Sequence, residues 1–360
     1  MADPVPLPTA DAVLVGVGAR APCGLTALQI AMSVRALKMD PRPCHMVDKN
    51  GESIATARLP SIGDDVIGLD RFLALGGAAL AQATYPFRSV QEQRRAGLPA
   101  LPVFLSLPHE ARPGFDPRLK HHLLPALAAR AQVPFDLDRS RVVLHGRGGS
   151  VMAFELALDE LRRGDRAAVV VGGVDSYFDP DVLDWLDQAL RLHSLDTENG
   201  FIPGEGAAFV TLARRGRTDG LYRYGQVLSA ASEHEPHPFG SDEPCLATGI
   251  TRAVRRAVSP VGQRQRRIPW AITDVVEERH RVDEWAAAFA RNHFAFTAEA
   301  VHDQPLLQTG DLGAASAAMM VAIAAARWQT GCAAGDCALV ATHSDGPERG
   351  AMLIAKDTPG

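Results

Sequence analysis

A short apolar strand that breaks into a small-residue turn and then into a helix constrains this chain most. The run is Val142-Val143-Leu144-His145-Gly146-Arg147-Gly148-Gly149-Ser150-Val151-Met152-Ala153. Glycine and serine allow a cramped turn, and the start of a helix stabilises a thiolate or an oxyanion; this is the geometry of a nucleophile elbow. Its tip carries Arg147, a cation that cannot lose its proton to become a nucleophile. The spacing of Met152, Leu156, Leu158 and Leu161 predicts a helix over 151–163, which Gly164 ends as a C′ glycine. Residues 167–171 then read as a buried strand stopped by Gly172-Gly173.

Strand-like runs alternate with helical patterns along the rest of the chain, which predicts an α/β layered protein. Strands are expected at 12–17, 101–107, 142–144, 207–212, 225–231, 270–276, 338–342 and 351–355, with an edge hairpin between 44 and 57. Helices are expected at 26–37, 70–84, 119–132 and 244–258, and from 285 to 291. At 310–326 a small-residue turn leads into a long Ala-rich helix. A length of 360 residues exceeds one ordinary core, so two halves are expected, 1–215 and 220–360, joined near 214–220.

Composition narrows the function classes. A hydrophobic fraction of 46% with 22% charged residues describes a soluble globular protein, and a net charge of -5 gives no bulk attraction to nucleic acid or an anionic membrane. No apolar stretch reaches membrane-spanning length, and the N-terminus has neither a basic nor an apolar signal region, so a cytoplasmic location is expected. The five cysteines, Cys23, Cys44, Cys245, Cys332 and Cys337, are odd in number and scattered. They suggest neither a disulfide framework nor a zinc site. Glu233-His234-Glu235-Pro236-His237 reads as a surface loop, because Pro236 breaks regular structure and no third ligand follows. No metal or cofactor is expected.

Four blocks in order resemble the thiolase superfamily, specifically the β-ketoacyl synthases. They are Val15-Gly16-Val17-Gly18-Ala19 with Pro22-Cys23-Gly24-Leu25; the elbow with Gly164 and Gly172-Gly173; residues 199–208, Asn-Gly-Phe-Ile-Pro-Gly-Glu-Gly-Ala-Ala; and Thr309-Gly310-Asp311-Leu312-Gly313-Ala314-Ala315-Ser316. The elbow block is the specific one: with Arg147 at the family's cysteine, the helix-ending glycine and the glycine pair fall into register without gaps. The resemblance implies a thiolase-like fold, two related α/β halves in a layered αβαβα arrangement, and a homodimer.

It also implies an altered site. Gly310 stands at the histidine of the family's Gly-His turn, Arg279 stands at the histidine of its second-half loop, and His280 follows as a surface histidine. Ser344-Asp345-Gly346 replaces the Gly-Gly-x-Asn loop. Condensation needs a thiolate, two donors for the thioester oxygen and a group that assists carbanion formation. With all three side chains replaced, the expectation is a divergent pseudoenzyme that serves as a binding, chaperone or accessory protein. Its partner would be a secretion-system effector or an active synthase. The alternative is an acyltransferase, or a protein that binds acyl carrier protein or coenzyme A thioesters.

Residues placed in the remodelled pocket are His145, Arg147, Ser150, Asp274, Glu277, His280, Asp311 and Asp345. Ser150 reads as a helix-start hydroxyl capping backbone N–H groups, and His145 as a hydrogen-bonded, partly buried histidine. Two readings stand for Arg147 and Asp311. Either they form an ion pair that fills the vacated pocket, or Arg147 faces solvent while Asp311 only caps the following helix. Asp274 and Glu277 are the next candidate partners of Arg147.

Overall fold

A computed structural model describes residues 10–94, 100–131, 133–194, 197, 199–218, 220–263 and 265–357. Gln132 and Asp219, which fall in segments read above from sequence, lie outside the described residues. Among the described residues there are twelve strands: β1 (Ala12–Arg20), β2 (Arg42–Val47), β3 (Ser53–Thr56), β4 (Val103–Ser106), β5 (Arg141–Val143), β6 (Ala168–Ser176), β7 (Glu205–Arg214), β8 (Gly225–His234), β9 (Ile268–Thr273), β10 (Phe296–Asp303), β11 (Cys337–His343) and β12 (Glu348–Ala355).

Strands β2 and β3 form the edge hairpin, and the other ten run in the order β10-β9-β11-β12-β8-β1-β7-β6-β4-β5. That order is one five-strand topology used twice. In each half the first strand pairs antiparallel with the last, the last pairs antiparallel with the fourth, and the second lies parallel between the fourth and the third. A short β1–β8 pairing joins the two five-strand groups.

The strands show why both sheets read as continuous apolar runs. In β6, Val169 and Val171 face the shared interior while Val170 and Val174 face an outer layer. In β12, Met352 and Ile354 point inward while Ala351, Leu353 and Ala355 point outward. A strand covered on both faces needs apolar residues at every position, so period-two alternation is lost from the sequence. The outer helices are Gly68–Arg94 and Leu124–Arg130 on one sheet, and Thr248–Ala257 and Arg279–Arg291 on the other.

Between the sheets lie two helices, Gly146–Arg163 and Ser316–Thr330. Every residue from Ser316 to Trp328 is buried, and its alanines allow close contact with the neighbouring layers. The layering is therefore αβαβα.

Several elements differ from the sequence reading. The central helix starts at Gly146 rather than at residue 151, which places Arg147 in its first turn. Gly164 closes that helix in the left-handed conformation, φ 85°. Strand β6 is not stopped by Gly172-Gly173 but runs through the pair to Ser176. The pair serves close approach instead: a Cβ on Gly173 would lie 2.1 Å from the Ala314 carbonyl oxygen. Gly173→Ala is therefore expected to destabilise the protein by about 1–3 kcal/mol or more, read as a lower urea midpoint with unchanged slope. An unshifted midpoint would show that this contact yields freely.

Candidate functional site

The elbow turns on Gly146, φ 56°, and directs Arg147 inward between the halves. Arg147 is 4% exposed. Its Nε donates to the His343 carbonyl oxygen at 2.8 Å, and its Nη1 donates to the Tyr177 hydroxyl at 2.8 Å and to Asp311 Oδ2 at 2.9 Å. Its Nη2 donates to Asp345 Oδ1. The ion pair between the facing turns is thus present. Asp311 also accepts from the Gly313 N–H at 2.8 Å through Oδ1, so one carboxylate both pairs with Arg147 and holds its own turn.

Two further buried arginines complete the floor. Arg281 Nη1 donates to the same Asp311 Oδ2 at 2.7 Å, and its Nη2 donates to the Asp274 carbonyl oxygen. Arg191 grips Glu278 through Nε (2.6 Å) and Nη2 (3.0 Å), and reaches Asp345 Oδ2 through Nη1 at 2.8 Å. Asp274 accepts from the His343 backbone N–H at 2.8 Å, and its other oxygen lies 2.8 Å from His343 Nδ1. Three guanidiniums, of Arg147, Arg191 and Arg281, therefore face four carboxylates, of Asp274, Glu278, Asp311 and Asp345.

Charge outweighs burial at Asp274, Asp345 and Arg147. Burial alone would push the Asp345 and Asp274 carboxyls up. Arg147 and Arg191 beside the first, and His343 and Arg281 beside the second, hold both below the usual carboxylate range. Burial likewise opposes the charge on Arg147, yet Asp311 and Asp345 hold its pKa well above the ordinary value. Each guanidinium of the floor is engaged with acceptors, and each of the four carboxylates with donors.

Above the floor a cleft of about 220 Å³ remains, lined among others by His109, Arg112, His145, Arg147, Tyr177, Trp185 and Asp345. Arg112 Nη1 donates to Asp175 Oδ1 at 2.8 Å, and the other Asp175 oxygen accepts from the Ala314 N–H at 2.7 Å. Burial pushes the Asp175 carboxyl up in spite of Arg112. The cleft therefore reaches Arg147 from outside while the ionic floor closes it from within.

The remaining sequence candidates fall in different places. Gly310 sits in a buried turn at φ 74°, where a Cβ would lie 2.7 Å from Ala57 Cβ, so no histidine fits there. Arg279 is 81% exposed in its side chain and pairs with Asp283 outside the site. The residue that leaves the end of β9 into the floor is Asp274, five positions earlier. Glu277 stands at the surface, 3.4 Å from His193, and does not meet Arg147. His280 is not a free surface histidine: it stacks on Phe239 with centroids 4.0 Å apart, and burial pushes its pKa down to about 4.

Ser150 is buried in the second turn of the helix and donates to the Arg147 carbonyl oxygen instead of capping N–H groups. His145 is the residue preceding the helix, half-exposed, with Nδ1 3.1 Å from Glu348 Oε1. Cys23, the cysteine beside the first turn, has a thiol that burial pushes up to about 11, which suppresses the thiolate.

Arg191, Glu278, Arg281 and His343 were not singled out from sequence as pocket residues. Glu278 and Arg281, three apart at a helix start, carried a weak local signal. Arg191 follows a helix, Pro180–Gln188, that the periodicity did not reveal, although Asp179-Pro180 is a cap and first-position signature.

Comparison with known proteins fits this fold. A family model described as beta-ketoacyl synthase, N-terminal domain, matches residues 148–217, starting one residue after Arg147. No curated protein matches the sequence. Among solved structures, the ishigamide ketosynthase/chain length factor superposes with a TM-score of 0.72 at 17% identity, covering 97% of this chain and 100% of that one. The ketosynthase from module 6 of the bacillaene synthase from Bacillus subtilis 168 gives 0.75 at 16% identity, covering 97% and 73%. The fold is that of a thiolase-like ketosynthase.

A third similar solved structure is that of a type II PKS acyl-carrier protein in complex with its ketosynthase bound to the hexaketide. It gives a TM-score of 0.75 at 12% identity over 96% of this chain and 99% of that one. Within this ketosynthase-like chain, the elbow, the glycine pair and the 309–316 turn meet around one floor, and the floor is ionic. Among the described residues no helix is long and apolar enough to cross a membrane.

Proposed function

We propose that this ketosynthase-like chain is a pseudoenzyme without condensing activity that works as a binding or accessory protein. One observation carries the reading: the elbow position holds a buried arginine whose guanidinium is engaged by His343, Tyr177, Asp311 and Asp345. A residue so held can neither accept an acyl group nor vacate the floor for one. The partner would be an active synthase, paired as a chain length factor is in the name of one structural neighbour, or a secretion-system effector that the chain chaperones. A cytoplasmic homodimer joined along the sheet edge at β5 is part of this reading, since β5 pairs only with β4 and leaves its other edge open among the described residues.

The cleft of about 220 Å³ above Arg147 favours one second reading, a chain that still holds a carrier arm or coenzyme A thioester. Incubation of the purified protein with acyl-carrier and coenzyme A thioesters, followed by intact mass measurement, separates the two. No mass increase is expected. A stable acyl adduct would overturn the pseudoenzyme reading and establish acyltransferase chemistry, while saturable binding without an adduct would assign the cleft to a non-covalent ligand.

A further inference from the structure

The mouth of the cleft holds a cluster that the accessory reading does not use. Nδ1 of His145 and Oε1 of Glu348 are 3.1 Å apart. Yet Nδ1 is shielded from solvent without a hydrogen-bond partner, and so is Glu348 Oε2. Glu348 is 5% exposed. The adjacent Arg349 does not neutralise it, because that guanidinium is spent on Glu284 and on the backbone carbonyls of Ser344, Gly346 and Glu348. A buried carboxylate oxygen without donor or cation is unfavourable, and a bound cation would satisfy it.

His109, from the loop after β4, closes the group: one ligand-capable atom each of His109, His145 and Glu348 lies within 4.8 Å of the others. All three line the cleft. Two imidazoles and a carboxylate are the donor set that holds a borderline divalent ion while leaving a coordination position open. With bonds of about 2.0 Å, a tetrahedral site separates its ligand atoms by roughly 3.3 Å, close to the spacing that His145 and Glu348 already have.

We propose that His109, His145 and Glu348 bind one divalent transition-metal ion, zinc foremost, with its open position toward the cleft. His109 Nδ1 accepts from the Ala111 N–H at 3.0 Å, so Nε2 carries the ring proton in the metal-free chain. Ligation through Nε2 requires that proton to move to Nδ1 and gives up the turn bond. The sequence reading placed no metal here because the ligands lie at positions 109, 145 and 348, a spacing that no short motif records.

The test uses tag-free full-length protein stripped with a chelator, titrated with Zn2+ by calorimetry and with Co2+ by visible absorption. One equivalent should bind, with cobalt bands of a four-coordinate site, and His109→Asn and Glu348→Gln should each weaken binding more than about tenfold. Near-UV circular dichroism checks the fold of Glu348→Gln; if it is disturbed, His109→Asn decides, because that ring is exposed. Absence of stoichiometric binding, or affinity unchanged in His109→Asn, overturns the site. Neither outcome bears on acylation, so this inference and the accessory reading fail separately.

Discussion

Replacing Arg147 with leucine is expected to destabilise the protein by about 3–5 kcal/mol, because it leaves buried charge without its partner. Asp311 has no exposure, and Asp345 shares its carboxylate between Arg147 and Arg191. Deleting Arg147 changes the floor from three guanidiniums against four carboxylates to two against four. The loss should appear as a lower denaturant midpoint at unchanged slope. Asp311→Asn added to Arg147→Leu should recover part of it, since the buried carboxylate is then neutral while Arg281 keeps Glu278 and Asp274. Arg147→Lys should fall between, because an ammonium keeps the charge but not the fork that reaches His343, Tyr177, Asp311 and Asp345 together. If Arg147→Leu is as stable as the parent, the network does not stabilise the fold, and replacement by apolar residues would serve equally well.

Acidification should unfold the protein by the same network. Asp345 and Asp274 titrate lower in the folded chain than in the unfolded one, where carboxyls have ordinary values of about 4. Below that pH the unfolded chain therefore binds more protons, and falling pH draws the equilibrium toward it. The stability these two groups contribute is full above the unfolded pKa and is lost as pH drops through the folded values. Asp175, which burial pushes the other way, offsets part of this. Unfolding free energy measured from pH 7 down to pH 3 should fall steeply below about 4, and Asp345→Asn should flatten that slope while lowering stability at pH 7. A slope unchanged in Asp345→Asn would place the acid sensitivity elsewhere.

Much of the architecture was legible because it rests on local rules. A glycine that must adopt positive φ, as at Gly164, or admit a backbone carbonyl where a Cβ would stand, as at Gly173, leaves a fixed mark in the chain. The Ala-rich helix and the apolar strands were equally plain, since burial on all sides removes polar residues. The register failed where local rules ran out. Strand β9 ends at Thr273 and the next helix starts at Arg279, so gapless counting put Arg279 at the histidine position, where the fold leaves it exposed, while Asp274, a pocket residue in the sequence reading, enters the floor.

The sequence by itself determined the layered fold and the elbow with an arginine, a permanent cation, at its tip. Only the tertiary structure decided what that cation does. Arg147 and Asp345 are 198 positions apart, Arg191 and Glu278 are 87 apart, and Arg281, on a helix, meets Asp311 in a turn 30 positions away. Such pairs form when two sheets and two central helices bring four loops to one floor, and no periodicity in the chain encodes that meeting. Secondary structure follows from neighbours a few residues away, whereas the charge balance of a buried site follows from neighbours in space.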